Sequence, residues 1–118
     1  MRRFVLALSL LLLVWPLSGD AQTNRVTFET VTFAATSIGF TGTTIQPTGE
    51  PVMTVCSGKL ETAQIRYRFD GTAPTAAIGA LLDVGDVITI RGLAYLRDFR
   101  GIRTGASSGV VAFHCTRL

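Results

Sequence analysis

Residues 64–79, QIRYRFDGTAPTAAIG, constrain the fold more than any other stretch, because a clean strand pattern runs straight into a turn that has to stop it. Ile65, Tyr67 and Phe69 alternate with Arg66 and Arg68. Successive side chains of a strand point to opposite faces, so one face carries three large apolar groups and the other two guanidiniums. The pattern predicts a half-buried strand. Asp70-Gly71 then supplies tight-turn chemistry, since glycine accepts positive φ and aspartate hydrogen-bonds nearby backbone, and Pro74 bars the segment from a central sheet position.

The N-terminus narrows the length available for folding. Arg2-Arg3 precede an almost unbroken apolar run from Phe4 to Val14, and Trp15-Pro16 ends any helix there. The run is too short to span a bilayer comfortably, whereas small residues at Gly19 and Ala21 suit cleavage after Ala21. Residues 1–21 therefore read as a signal peptide, with a retained hydrophobic anchor as the alternative, and residues 22–118 as a single β domain. Contact with a membrane is expected only through that N-terminal helix. Loss of Arg2, Arg3 and Asp20 lowers the chain's net charge from +3 to about +2, too little to argue for nucleic acid. Every remaining cation except Lys59 is an arginine, which favours pairing with carboxylates or phosphates, although salt-bridged strand faces are the commoner use.

Cys56 and Cys115 are the only cysteines. In an exported chain an even pair predicts a disulfide, and closing a loop of about 60 residues would stabilise the fold by about 4 kcal/mol. If bonded, the two strands must be adjacent or stacked. In a reducing compartment the same residues would be two buried free thiols.

The rest of the chain reads as short strands between Gly, Pro and Thr turns. Residues 25–34 favour a strand, but Val26 and Phe28 share one face while Val31 and Phe33 share the other, which predicts a bulge near Glu29-Thr30. Residues 37–45 offer another strand, 46–51 a loop, and 52–57 a strand buried on both sides. The short link at 58–63 makes this strand a neighbour of the 64–69 strand, as in a hairpin. Residues 87–91 (VITIR) are strongly β-branched, 93–98 form a helical turn or loop, and 99–104 are a strand with either two buried sides or a bulge at Gly101. Residues 110–116 end the chain, with Val111, Phe113 and Cys115 on one face and Val110, Ala112 and His114 on the other. The expected fold is all-β: a small, jelly-roll-like sandwich or a barrel of about seven to eight short antiparallel strands.

Little here points to chemistry. His114 adjoins Cys115, but neighbours on a strand face opposite ways, which disfavours a nucleophile pair. One histidine and two distant cysteines make no zinc site, and no cofactor motif is present. Asp83 and Asp86 could hold calcium weakly, though DVGD reads better as a turn whose carboxylates cap amides. Residues 105–109 (GASSG) lack the lysine and helix of an anion loop. No set of residues fills the roles an enzyme requires.

Residues 65–75 (IRYRFDGTAPT), with the later GALLDVGDVITI and FRGIRTGASSGV, resemble a family of small tailed-phage proteins thought to be virion components. The matching positions run from Cys56, Gly58 and Leu60 through Arg66, Arg68, Asp70, Gly71, Pro74 and Gly79 to Phe99, Arg103 and Gly109. The resemblance implies a compact β domain that decorates or braces a capsid, or serves as a head or tail accessory, with capsid or tail proteins as partners. The leader departs from that family's pattern. A virion location is expected if residues 1–21 are not a signal, and export to the periplasm, cell surface or beyond if they are. An all-β chain with open edges must pair, cover or charge them, so homo-oligomers are expected. From the residues alone, a second role is an exported binding module whose Arg66, Arg68 and Tyr67 hold glycan or an acidic surface.

Overall fold

The C-terminal strand is the axis of the larger of two sheets. In the computed structural model, which describes residues 25–117, β7 (Gly109–Thr116) lies between β1 (Val26–Phe33) and β2 (Val55–Leu60). β5 (Val87–Arg91) completes this sheet in the order β1-β7-β2-β5. β3 (Ile65–Arg68), β4 (Ala80–Leu82) and β6 (Arg100–Arg103) form the second sheet, ordered β4-β3-β6. All pairings are antiparallel. Beyond β6, Ile38 makes a single antiparallel bridge to Gly101. Two short helices, α1 (Gly42–Ile45) and α2 (Leu93–Asp98), join strands. Among the described residues no helix is long and apolar enough to cross a membrane. The hydrophobic helix expected at the N-terminus lies outside the described residues.

Period-2 alternation decides which side chains meet between the sheets. Val111, Phe113 and Cys115 of β7 are buried together with Cys56 and Leu60 of β2, Ile88 and Ile90 of β5, and Ile65 of β3. Their alternates point outward, as the sequence pattern predicts for β5 and β7. Phe99, fully buried, is the aromatic centre of the core, with ring centroids 5.3–6.1 Å from those of Phe33, Phe40, Tyr67, Phe69 and Phe113. Leu96 of α2 and Ile45 of α1 are buried in the same core. Such edge-to-face and tilted pairs add about 0.5–1.5 kcal/mol each beyond burial.

Cys56 and Cys115 are directly opposite partners in the β2–β7 ladder, with Cα atoms 4.0 Å apart, and are joined by a disulfide. The bond ties the final strand to the middle of the fold.

Five expectations need correcting. β1 contains no bulge: its register with β7 runs unbroken from Val26↔Thr116 to Phe33↔Gly109. The alternation keeps its phase, and Val26 and Phe28 simply lie outside while Thr27 and Glu29 point inward to the chain around α1. There the Thr27 hydroxyl donates to the Thr44 carbonyl at 2.8 Å, and the Glu29 carboxylate accepts the Thr41 amide and hydroxyl.

Residues 37–45 are not a strand. Only Ile38 pairs, and the chain then turns into α1, closed by Gln46 N–H donating to the Gly42 carbonyl. β2 begins at Val55, not Val52, because the Met53 amide is taken by the Ile45 carbonyl. It also continues through residues expected to be a link, since Gly58 lets the backbone pass close to β7: a Cβ there would lie 2.6 Å from Val111 Cγ1.

β2 and β3 are not a hairpin. They belong to opposite sheets, so the residues between them cross the sandwich. Finally, β6 holds a regular register with β3 and has no bulge at Gly101. Gly101 is required for another reason, because a Cβ would meet the Phe33 ring at 2.5 Å. Phe99 lies before the strand as the residue closing α2, its amide donating to the Tyr95 carbonyl.

Candidate functional site

β3 presents its two faces as the alternation predicts. Ile65 is buried, and Tyr67 packs inward with its ring 5.2 Å from Phe69 and 6.1 Å from Phe99. Arg66 and Arg68 lie on the other face. The three residues expected to share a binding face are therefore split by the sheet, with Tyr67 in the core and the two guanidiniums outside.

Both guanidiniums already have partners. Arg66 donates from Nε to the Ala76 carbonyl at 3.0 Å and from Nη1 to the Gly79 carbonyl at 2.8 Å. It thus fastens the loop between β3 and β4 to the sheet. Arg68 forms a two-pronged ion pair with Asp70. The hydrogen bond from Arg68 holds the Asp70 carboxyl below its usual range, and the same bond raises the arginine.

Asp70 also accepts the Thr72 amide at 3.1 Å, the local ring expected of an Asp-Gly turn, and Gly71 takes φ +74°. Pro74 is buried beneath the loop, beside Gly79. The turn motif is thus a device that stops β3 and folds the following residues back over it.

The 83–86 turn is structural in the same sense. Asp86 accepts the Asp83 amide at 3.0 Å and Gln64 donates to the Asp83 carboxylate, so DVGD is a self-capped turn. No group of three or more His, Cys, Asp or Glu side chains capable of holding a metal occurs among the described residues. In the 105–109 loop, Arg103 Nη1 donates to the Ala106 carbonyl at 3.0 Å. His114 is exposed on the outer side of β7, across the strand from the disulfide sulfur of Cys115.

What sequence reasoning missed is the outer face of the larger sheet. The registers place Phe28, His114, Ser57 and Thr89 in one row across its four strands, flanked by the row Val26, Thr116, Val55, Arg91 and the row Thr30, Ala112, Lys59, Val87. The face is dominated by small and β-branched side chains, with Lys59 and Arg91 its only formal charges in those rows. Phe28, 77% exposed, stands on it. The signal was present in residues 25–34 as an apolar pair on the wrong phase, and was misread as a bulge.

The chain matches no protein-family model, no curated protein and no solved structure.

Proposed function

We propose that the chain is a non-enzymatic structural module, a β domain that works by laying its surface against other protein, as a virion decoration or accessory protein does. The observation carrying this reading is the outer face of the larger sheet, a broad, weakly charged surface bearing an almost fully exposed phenylalanine. An exposed aromatic among threonines and valines is costly to leave in water and well suited to protein contact. Arg66, Arg68, Asp70, Asp83 and Asp86 hold turns and loops.

The finer fold we infer is a jelly roll whose second strand has shrunk to the Ile38 bridge. In an eight-stranded roll of two Greek keys the first, eighth, third and sixth strands share one sheet, and the second, seventh, fourth and fifth the other. With the Ile38 segment counted as the second strand, the orders β1-β7-β2-β5 and Ile38-β6-β3-β4 follow that plan. Rolls serve in viral capsids and in lectins, so the fold leaves the choice of role to the surface.

The test is fractionation of producing cells and of any particles they release, with intact-mass analysis before and after reduction and alkylation. Enrichment in particles, diminished by Phe28→Ser, supports the structural reading. Absence from particles, with a processed chain in the envelope fraction, overturns the virion role. It would favour an exported module that binds glycan or an acidic surface, the reading for which the Cys56–Cys115 disulfide speaks, since such bonds persist in oxidising compartments. That module would lose binding in Arg66→Ala with Arg68→Ala while its fold stayed unchanged, and unchanged binding would count against it.

A further inference from the structure

The larger sheet ends in two edge strands, β1 and β5. The inner face of β1 is fastened to the chain around α1 by the Thr27 and Glu29 side chains. β5 pairs with β2 on one side, and among the described residues no strand lies on its other side.

The ladder fixes which backbone groups this open edge presents. The Leu60 amide donates to the Asp86 carbonyl and the Gly92 amide to the Thr54 carbonyl, so the even-numbered residues of this stretch face β2. Alternation then turns the amides and carbonyls of Val87, Thr89 and Arg91 outward. Of the usual protections the strand carries one charge, Arg91 at its end, and no proline, bulge, inward charge or lysine. The neighbouring edge of the second sheet, β4, is only three residues long. Val87, on the strand itself, is 65% exposed.

We propose that β5 is a dimerisation edge that pairs antiparallel with β5 of a second copy, about a two-fold axis at Thr89. The strand is self-complementary in that register. Each Thr89 exchanges both backbone hydrogen bonds with the other Thr89, and each Val87 does so with an Arg91. The buried Ile88 and Ile90 fall opposite one another, so the inner face stays apolar across the junction. The strand's only charge, Arg91, meets Val87 rather than another Arg91, so no like charges are opposed. A two-fold contact of this kind uses one patch on both copies and closes after two, whereas an open edge left free would invite indefinite growth. A five-residue ladder is a short contact, and the exposed Val87 at each end of it supplies the apolar part of the interface.

This inference deepens the reading of the chain as a surface-association module, yet the two can fail separately: a monomer that still loads onto particles overturns the dimer alone. The test is sedimentation equilibrium of the purified oxidised protein, in a concentration series up to about 1 mM, the weak end of specific association. The expected result is twice the mass of one chain. Thr89→Pro removes an amide that no ladder bond within the fold uses, and Thr89→Lys places like charges opposite each other on the axis. Both should sediment as single chains with unchanged far-ultraviolet circular dichroism, and if the proline variant unfolds, the lysine variant carries the result. A wild-type monomer throughout the series, a ring of more than two copies, or a dimer that survives both substitutions overturns the proposal.

Discussion

At the scale of single residues, the fold depends on places where a side chain is absent or a charge is pinned. Gly101 lies under the Phe33 ring, so Gly101→Ala forces that ring or the β6 backbone to move. It is expected to destabilise the domain by about 1–3 kcal/mol in urea unfolding. Gly105, with open space around its Cβ position, should tolerate alanine to within about 0.5 kcal/mol. Asp70 makes a prediction about pH. Its carboxyl is held below the ordinary range by Arg68, so its folded pKa lies under its unfolded one. The stabilisation is therefore present above the usual carboxylate value of about 4 and is lost as pH falls through the folded pKa. Melting temperatures of wild type and Asp70→Asn, measured from neutral to acid pH, should differ at neutrality and converge in acid. A constant offset would mean that the charge of Asp70 contributes nothing. Residue-level pattern was legible at β3, β5 and β7 because a strand with one buried face must alternate. Gly101 was legible only as an anomaly, since nothing in FRGIRT names the distant Phe33 that occupies its missing side chain.

At the scale of elements, the disulfide is the strongest tie. Cys56 and Cys115 are separated by 59 residues in sequence and lie opposite each other in the β2–β7 ladder. Replacing both with alanine should cost about 4 kcal/mol on the chain-entropy account, read as a lower urea midpoint with a steeper slope, because the uncrosslinked unfolded chain exposes more surface. A loss under about 1 kcal/mol would show that the β2–β7 pairing already restrains the unfolded chain. The elements misread from sequence share a cause. A hairpin between β2 and β3 was expected because their link is short, but a short link can equally cross a sandwich, and local spacing does not distinguish the two. In β1 the change of face by the apolar residues suggests a bulge. The actual reason is tertiary: the inner side of its first half meets the polar chain around α1, not the apolar second sheet. α1 itself is four residues long, too short for helical periodicity to register.

At the scale of the whole molecule, two phenylalanines separate what holds the domain together from what it offers outward. Phe99 is fully buried and touches rings from β1, β7, the β3 end and the segment before α1, so one side chain bridges both sheets. Phe28 is 77% exposed on the outer face of the larger sheet. Phe99→Ala should therefore cost about 3–5 kcal/mol, a large part of the roughly 5–15 kcal/mol that holds a domain of this size folded. Phe28→Ser should leave the unfolding midpoint almost unchanged, within about 0.5 kcal/mol, because it removes little buried area from the isolated chain. If the outer face is where the module meets its partner, the second substitution is the one that abolishes partner capture, since exposed aromatics dominate binding energy once an interface covers them. The two measurements, urea unfolding and co-sedimentation with particles, should rank the variants in opposite order. A Phe28 variant that unfolds as readily as the Phe99 variant would mean that this face is part of the domain's own packing. Equal particle binding by wild type and the Phe28 variant would move the working surface away from the larger sheet altogether.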